Sequence, residues 1–166
     1  MSTYTEFFLN SSSSVVQLEL LQMSHPSWSQ TYYVVRNAVN GITVTLETGV
    51  QQFFQYYPMA IKYEGMKDDL DQTFSITFGD LGTVVPAEVD NMIADDTMDV
   101  KPTVIYRCYR SDDLTTPMLA PYYLEIQNMS FNTDGVTFNA QAPQLNITTT
   151  GSEYTTDRFP TLLEFL

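Results

Sequence analysis

Residues 122–141 read YYLEIQNMSFNTDGVTFNAQ, and this stretch decides the fold class. Tyr122, Leu124 and Ile126 stand two apart, as do Val136, Phe138 and Ala140 beyond Asp134-Gly135. An apolar period of two marks a strand with one buried face, and Asp-Gly supplies the positive φ that a tight hairpin turn needs. The segment therefore predicts two antiparallel strands joined by a short turn.

The same pattern extends upstream. In residues 31–47, TYYVVRNAVNGITVTLE, the run Tyr32–Val35 and the alternating Ile42, Val44 and Leu46 flank Asn40-Gly41, which predicts a second hairpin. Val16, Leu18 and Leu20 alternate with Gln17 and Glu19 as a half-buried strand; Phe74, Ile76 and Phe78 make another, and residues 102–110 (PTVIYRCYR) a further one. Residues 51–63 (QQFFQYYPMAIKY) are extended, with Pro58 confining them to an edge or a bend. One internal helix is expected at about 85–95, because Val85, Val89, Met92 and Ile93 form a single stripe at helical spacing. Pro86 suits its first turn, and Glu88 and Asp90 its positive end. Thr3 and Glu6 have the spacing of a capping box, which predicts a short N-terminal helix. The sum is a mainly β fold: an antiparallel barrel or sandwich-like sheet with one inserted helix. The expected organisation is a single domain over residues 1–166, with an N-terminal helix or arm (1–14), a β domain (15–156) and a C-terminal arm (157–166).

Composition agrees with strands and narrows function. The chain has 166 residues, 43% of them hydrophobic and 13% aromatic, but only 16% charged. Thr (21), Ser (12), Gln (10) and Asn (8) replace the missing charge. Seven basic against 20 acidic residues leave a net charge of −13, which opposes phosphate binding and hence nucleic-acid recognition. It equally opposes an anionic membrane surface, and no apolar run is long enough to insert. A single cysteine, Cys108, excludes an internal disulfide and a thiolate zinc site. With no Sec-type leader pattern at its start, the chain is expected to be made in a cytoplasm.

Few residues propose chemistry. His25 lies in the loop SHPSWSQ (24–30) and reads as an ordinary surface histidine; Cys108 reads as a small buried hydrophobe. Asp68-Asp69-x-Asp71 and Asp95-Asp96-x-x-Asp99 lack calcium-loop spacing and read as solvated acidic faces, or as a contact for a basic partner. No catalytic residue, metal site or cofactor is expected. Trp28, Tyr32, Tyr33, Phe53, Phe54, Tyr56 and Tyr57 form an aromatic set suited to core and subunit interface, or to stacking on sugar rings.

Taken in order, YYPMAIKYEG, DQTFSITFGDLG, the helix VPAEVDNMI, the strand KPTVIYRCYRSDD, a hairpin and the closing TTDRFPTLLEFL form a recognisable series. Over roughly residues 15–166 it resembles uncharacterised bacteriophage tail proteins, similar in organisation to the N-terminal part of the minor tail protein L of lambda-like phages. The terminal R-F-P motif is here Arg158-Phe159-Pro160. The cysteine-rich part that carries an iron–sulfur cluster in L-like proteins has no counterpart, so no cluster is implied. The resemblance implies a non-enzymatic virion component: a structural subunit of a tail tip or baseplate hub, forming a trimeric or hexameric ring with other tail proteins. The apolar C-terminal arm, with Arg158, Phe159, Pro160, Leu162 and Phe165, is expected either to form an interface with a neighbouring subunit or to close its own domain's barrel. The alternative is a β-sandwich carbohydrate- or receptor-binding module of a virion, with a small carboxylate hydrolase as a further rival.

Overall fold

The hairpin of residues 122–141 forms as its sequence requires. The computed structural model describes residues 15–64, 73–79, 84–132 and 135–143, and in it β8 (Tyr122–Asn132) pairs antiparallel with β9 (Gly135–Gln141). A bulge between Ile126 and Asn128 shifts the register, so that Ile126 faces Ala140 but Met129 faces Phe138. The extra residue changes the parity of the strand and keeps an apolar side chain inward on both sides of the bulge. Gly135 has φ 137°, and a Cβ there would sit 1.9 Å from the Phe78 carbonyl oxygen. Only glycine lets the hairpin lie this close to its neighbour.

The remaining strands are β1 (Gln17–Ser24), β2 (Tyr32–Val35), β3 (Ile42–Thr45), β4 (Gln51–Tyr56), β5 (Met59–Glu64), β6 (Thr73–Phe78) and β7 (Thr103–Arg110), with the helix α1 at Val84–Ala94. They form one nine-stranded sheet in the order β3-β4-β2-β1-β7-β8-β9-β6-β5. The fold is thus mainly β with one inserted helix, as the sequence predicts. The N-terminal helix expected near residues 3–10 lies outside the described residues, as does the C-terminal arm.

Three expectations need correction. The Asn40-Gly41 turn forms, with the Gly41 N–H donating to the Ala38 carbonyl at 2.9 Å. It does not join a hairpin, however. Strand β4 pairs antiparallel with β3 and then parallel with β2, so it separates the two strands that the turn was expected to pair. The reversal that makes the actual hairpin is Leu46–Val50, where Leu46 N–H donates to Val50 O at 2.8 Å. Second, the sheet is mixed, through the parallel pairs Val34↔Gln55 and Val35↔Tyr56. Third, β1 is covered on both faces: Leu18, Glu19, Leu20, Leu21 and Met23 are all buried.

Strands β4 and β5 stand seven places apart in the sheet order, yet only Tyr57 and Pro58 link them. In a flat sheet that separation would be about 34 Å at ~4.8 Å per strand, whereas four consecutive Cα atoms span at most about 11 Å. The sheet must therefore curl until its ends approach. Tyr57 N–H donates to Val35 O (3.1 Å) and Gly79 N–H to Pro58 O (3.0 Å), stitching the seam. Among the described residues β2 and β5 do not pair with each other, so the barrel stays open.

The curl encloses one core, built from alternate residues of seven strands and from Val85 of the helix, with Val89 against it. A smaller second core lies on the opposite face of β1 and β7. It contains Leu18, Leu20, Val35, Val44, Phe54 and Tyr109. The β3–β4 ribbon covers it, held by Tyr109 Oη donating to Thr45 O at 2.7 Å and Thr45 N–H to Leu114 O at 2.9 Å. This half of the molecule is sandwich-like.

Candidate functional site

The loop after β1 folds across the helix, and the sequence reasons for this are Glu88 and His25. Glu88, which the sequence assigned to the positive helix end, is buried at 4% exposure alongside the stripe residues Val85 and Met92. Ile93 is 59% exposed instead. The Glu88 carboxylate accepts the Ser29 N–H at 2.9 Å, the hydroxyls of Ser29 and Tyr32, and an Asn91 side-chain N–H at 3.2 Å. Burial pulls its carboxyl upward, but these hydrogen bonds outweigh that and hold it below the usual 4.5. Burial first, then the bond to Glu88, raises the Tyr32 hydroxyl above 10.0. Glu88 is therefore an ionised anchor for the loop, and it stands beyond the first turn where a dipole contact would be made.

His25 is buried rather than superficial, at 8% exposure. Its Nδ1 accepts the Ser27 N–H at 3.1 Å, which leaves Nε2 as the donor to Val100 O at 3.0 Å. Both ring nitrogens are engaged in tying the loop to the segment after α1. Ser27 and Thr97 hydroxyls, 2.7 Å apart, add a second tie, and Trp28 Nε1 donates to Met92 Sδ at 3.3 Å. Trp28 and Tyr32 meet edge to face at 5.8 Å between ring centroids. Beside them an apolar recess of about 20 Å³, space for one water-sized molecule, is bounded by Met23, Val34, Tyr57 and Val85.

A wider groove of about 340 Å³ opens on the other side of Tyr32, where β2 and β4 diverge. Tyr32, Tyr33, Phe53 and Tyr57 form its aromatic walls. Gln30, Thr31 and Gln55 supply its polar groups. The aromatic set that the sequence singled out is thus largely brought together. Phe54 leaves it for the second core, and Tyr56 lines neither cavity.

The other sequence candidates separate. Cys108 is fully buried, and burial pushes its thiol up to about 11, which removes nucleophilic thiolate at neutral pH. Asp95, Asp96 and Asp99 are exposed; Asp68, Asp69 and Asp71 lie outside the described residues. Among the described residues no three His, Cys, Asp or Glu side chains converge as metal ligands, and no helix is long and apolar enough to cross a membrane. Arg158, Phe159, Pro160, Leu162 and Phe165, the interface candidates, also lie outside the described residues. Two buried polar groups escaped sequence reading: Glu19, paired with Arg36 at 2.6 Å, and Arg107, whose Nε reaches both Glu47 oxygens at 2.9 and 3.1 Å. A charged residue inside an apolar strand run was the signal available for each.

No curated protein shows significant similarity to the chain. A family model described as a domain of unknown function, DUF1833, matches residues 4–150, which takes in every described strand and the helix. The chain belongs to the DUF1833 family.

Proposed function

We propose that this chain is a non-enzymatic structural subunit of a phage tail tip or baseplate hub, working by assembly between tail tube and distal spike or fibres. The observation that carries the reading is the state of the sheet edges. Among the described residues β3 and β5 each pair on one side only, although β5 is six residues long. Such an edge presents backbone donors and acceptors to another chain, and a ring of identical subunits is a way to cap every edge at once. The net charge of −13 supports it in a second way, since an acidic surface complements a basic ring neighbour or, facing a lumen, repels passing DNA. The resemblance of the chain to tail-tip proteins gives the setting. Light scattering of the purified 18.9 kDa chain should give the mass of a trimer or hexamer, and purified tails should contain the chain. A monomer at about 100 μM that is also missing from tails overturns the reading, because ring interfaces of ordinary size saturate well below that concentration.

A further inference from the structure

The groove between β2 and β4 exists because two demands on β4 conflict. Its C-terminal end is held to β2 by two residue pairs, while its N-terminal end follows β3 and the Phe54 ring over the opposite face. The strands therefore fork, and the fork is lined by side chains rather than filled by core. Its volume of about 340 Å³ falls within the range of small-ligand sites, about 300–1,000 Å³.

We propose that this groove binds a neutral oligosaccharide. Aromatic rings offer an electron-rich face to the C–H groups on the flat side of a pyranose. Here the rings are positioned in advance. Phe53 is 53% exposed, and its ring lies across the Gly41 turn so closely that a Cβ on Gly41 would fall 2.3 Å from it. Tyr33 is braced edge to face by Phe54 at 5.3 Å, and the Tyr32 hydroxyl is fixed by Glu88. Prior fixing of the contact groups lowers the ordering cost of binding. The side-chain amides of Gln30 and Gln55 each offer both a donor and an acceptor, the pair that adjacent sugar hydroxyls take up. No lining side chain other than a tyrosine ionises, and a molecule of net charge −13 repels sialylated or uronic-acid glycans, so the ligand is uncharged. The reading is independent of the proposed assembly role, since a tail subunit and a free module would each present the same groove.

The test is an NMR titration of the full chain with maltohexaose, cellohexaose and chitohexaose, each to about 10 mM, the weak limit of useful affinity. The expected result is saturable shifts at residues 30–33 and 53–57 with at least one sugar. Phe53→Ala and, separately, Gln55→Ala should weaken that binding about tenfold or more, while Tyr123→Ala, an exposed tyrosine on β8, should leave it unchanged. Both groove side chains are exposed, so each variant keeps the fold. Absence of saturable shifts with all three sugars overturns the proposal, as does binding indifferent to both groove variants. Shifts along β2 and β4 with hexathreonine but with no sugar also overturn it, in favour of strand addition at the fork.

Discussion

At the scale of single residues, Glu88 decides how the loop 25–31 sits, and its charge is essential to that. All its observed partners donate hydrogen bonds to it, and a carboxylate accepts such bonds more strongly than a neutral amide does. Glu88→Gln exchanges charge-assisted hydrogen bonds for neutral ones and should cost about 1–2 kcal/mol at neutral pH, the difference between the two kinds of bond. The sign of the pH dependence follows from the depressed carboxyl. Below its ordinary 4.5 the unfolded chain takes up a proton that the folded chain still refuses. The contribution is complete above that value and is lost as pH falls through the folded one. Chemical denaturation at pH 7 and at successively lower pH should show wild type and Glu88→Gln converging below 4.5; parallel curves would contradict the assignment. The sequence placed Glu88 on the helix but gave it a dipole role, because its partners lie 56 and 59 residues away. It misread His25 for the same reason, since Val100 O stands 75 residues along the chain.

At the scale of elements, local pattern was a good guide wherever the chain turns back on its nearest neighbour. The β8–β9 hairpin and the helix were legible, because alternation, Asp-Gly and a 3.6-residue stripe act over a few residues. The Tyr32–Leu46 pair was not: both strands and the turn are real, but the partner of each is chosen by β4. The helix end shows a subtler case. Asp96 ends the helix by adopting φ 54°. Thr97 N–H then donates to Met92 O at 3.0 Å and Asp96 N–H to Ile93 O at 3.2 Å, a Schellman closure with aspartate where glycine is usual. The residue bears a left-handed backbone and a negative charge at the negative end of the helix, with no basic residue in the last turn to offset it. Asp96→Gly should therefore raise stability by about 0.5–1 kcal/mol, seen as a higher urea midpoint at unchanged slope. A fall in the midpoint would show that the aspartate side chain itself supports the cap.

At the scale of the whole molecule, the curled sheet and the β3–β4 ribbon are joined through few connections. The ribbon touches the main sheet by the two β2–β4 residue pairs and by the second core, with Arg107–Glu47 and Tyr109–Thr45 at its rim. The large core contains no residue of β3 or β4, so the curled sheet keeps its own buried face if the ribbon lifts. Sequence reading did not foresee this division, since both cores draw on alternate residues of the same strands β1, β2 and β7, and only curvature decides which face each residue meets. A fully buried Phe54 makes the ribbon's largest apolar contribution to the small core. Phe54→Ala should cost about 3–5 kcal/mol, and the loss should fall unevenly. Amides of β3 and β4 should exchange with solvent faster, while those of β6, β8 and β9 keep their protection, because local opening draws on the contacts of the opening unit alone. The groove fork would lose its wall in the same step, so saccharide-induced shifts should vanish in Phe54→Ala before the molecule as a whole unfolds. Equal acceleration of exchange in β3–β4 and in β6–β9 would show instead that the two cores form one cooperative unit and that the fork is as rigid as the sheet around it.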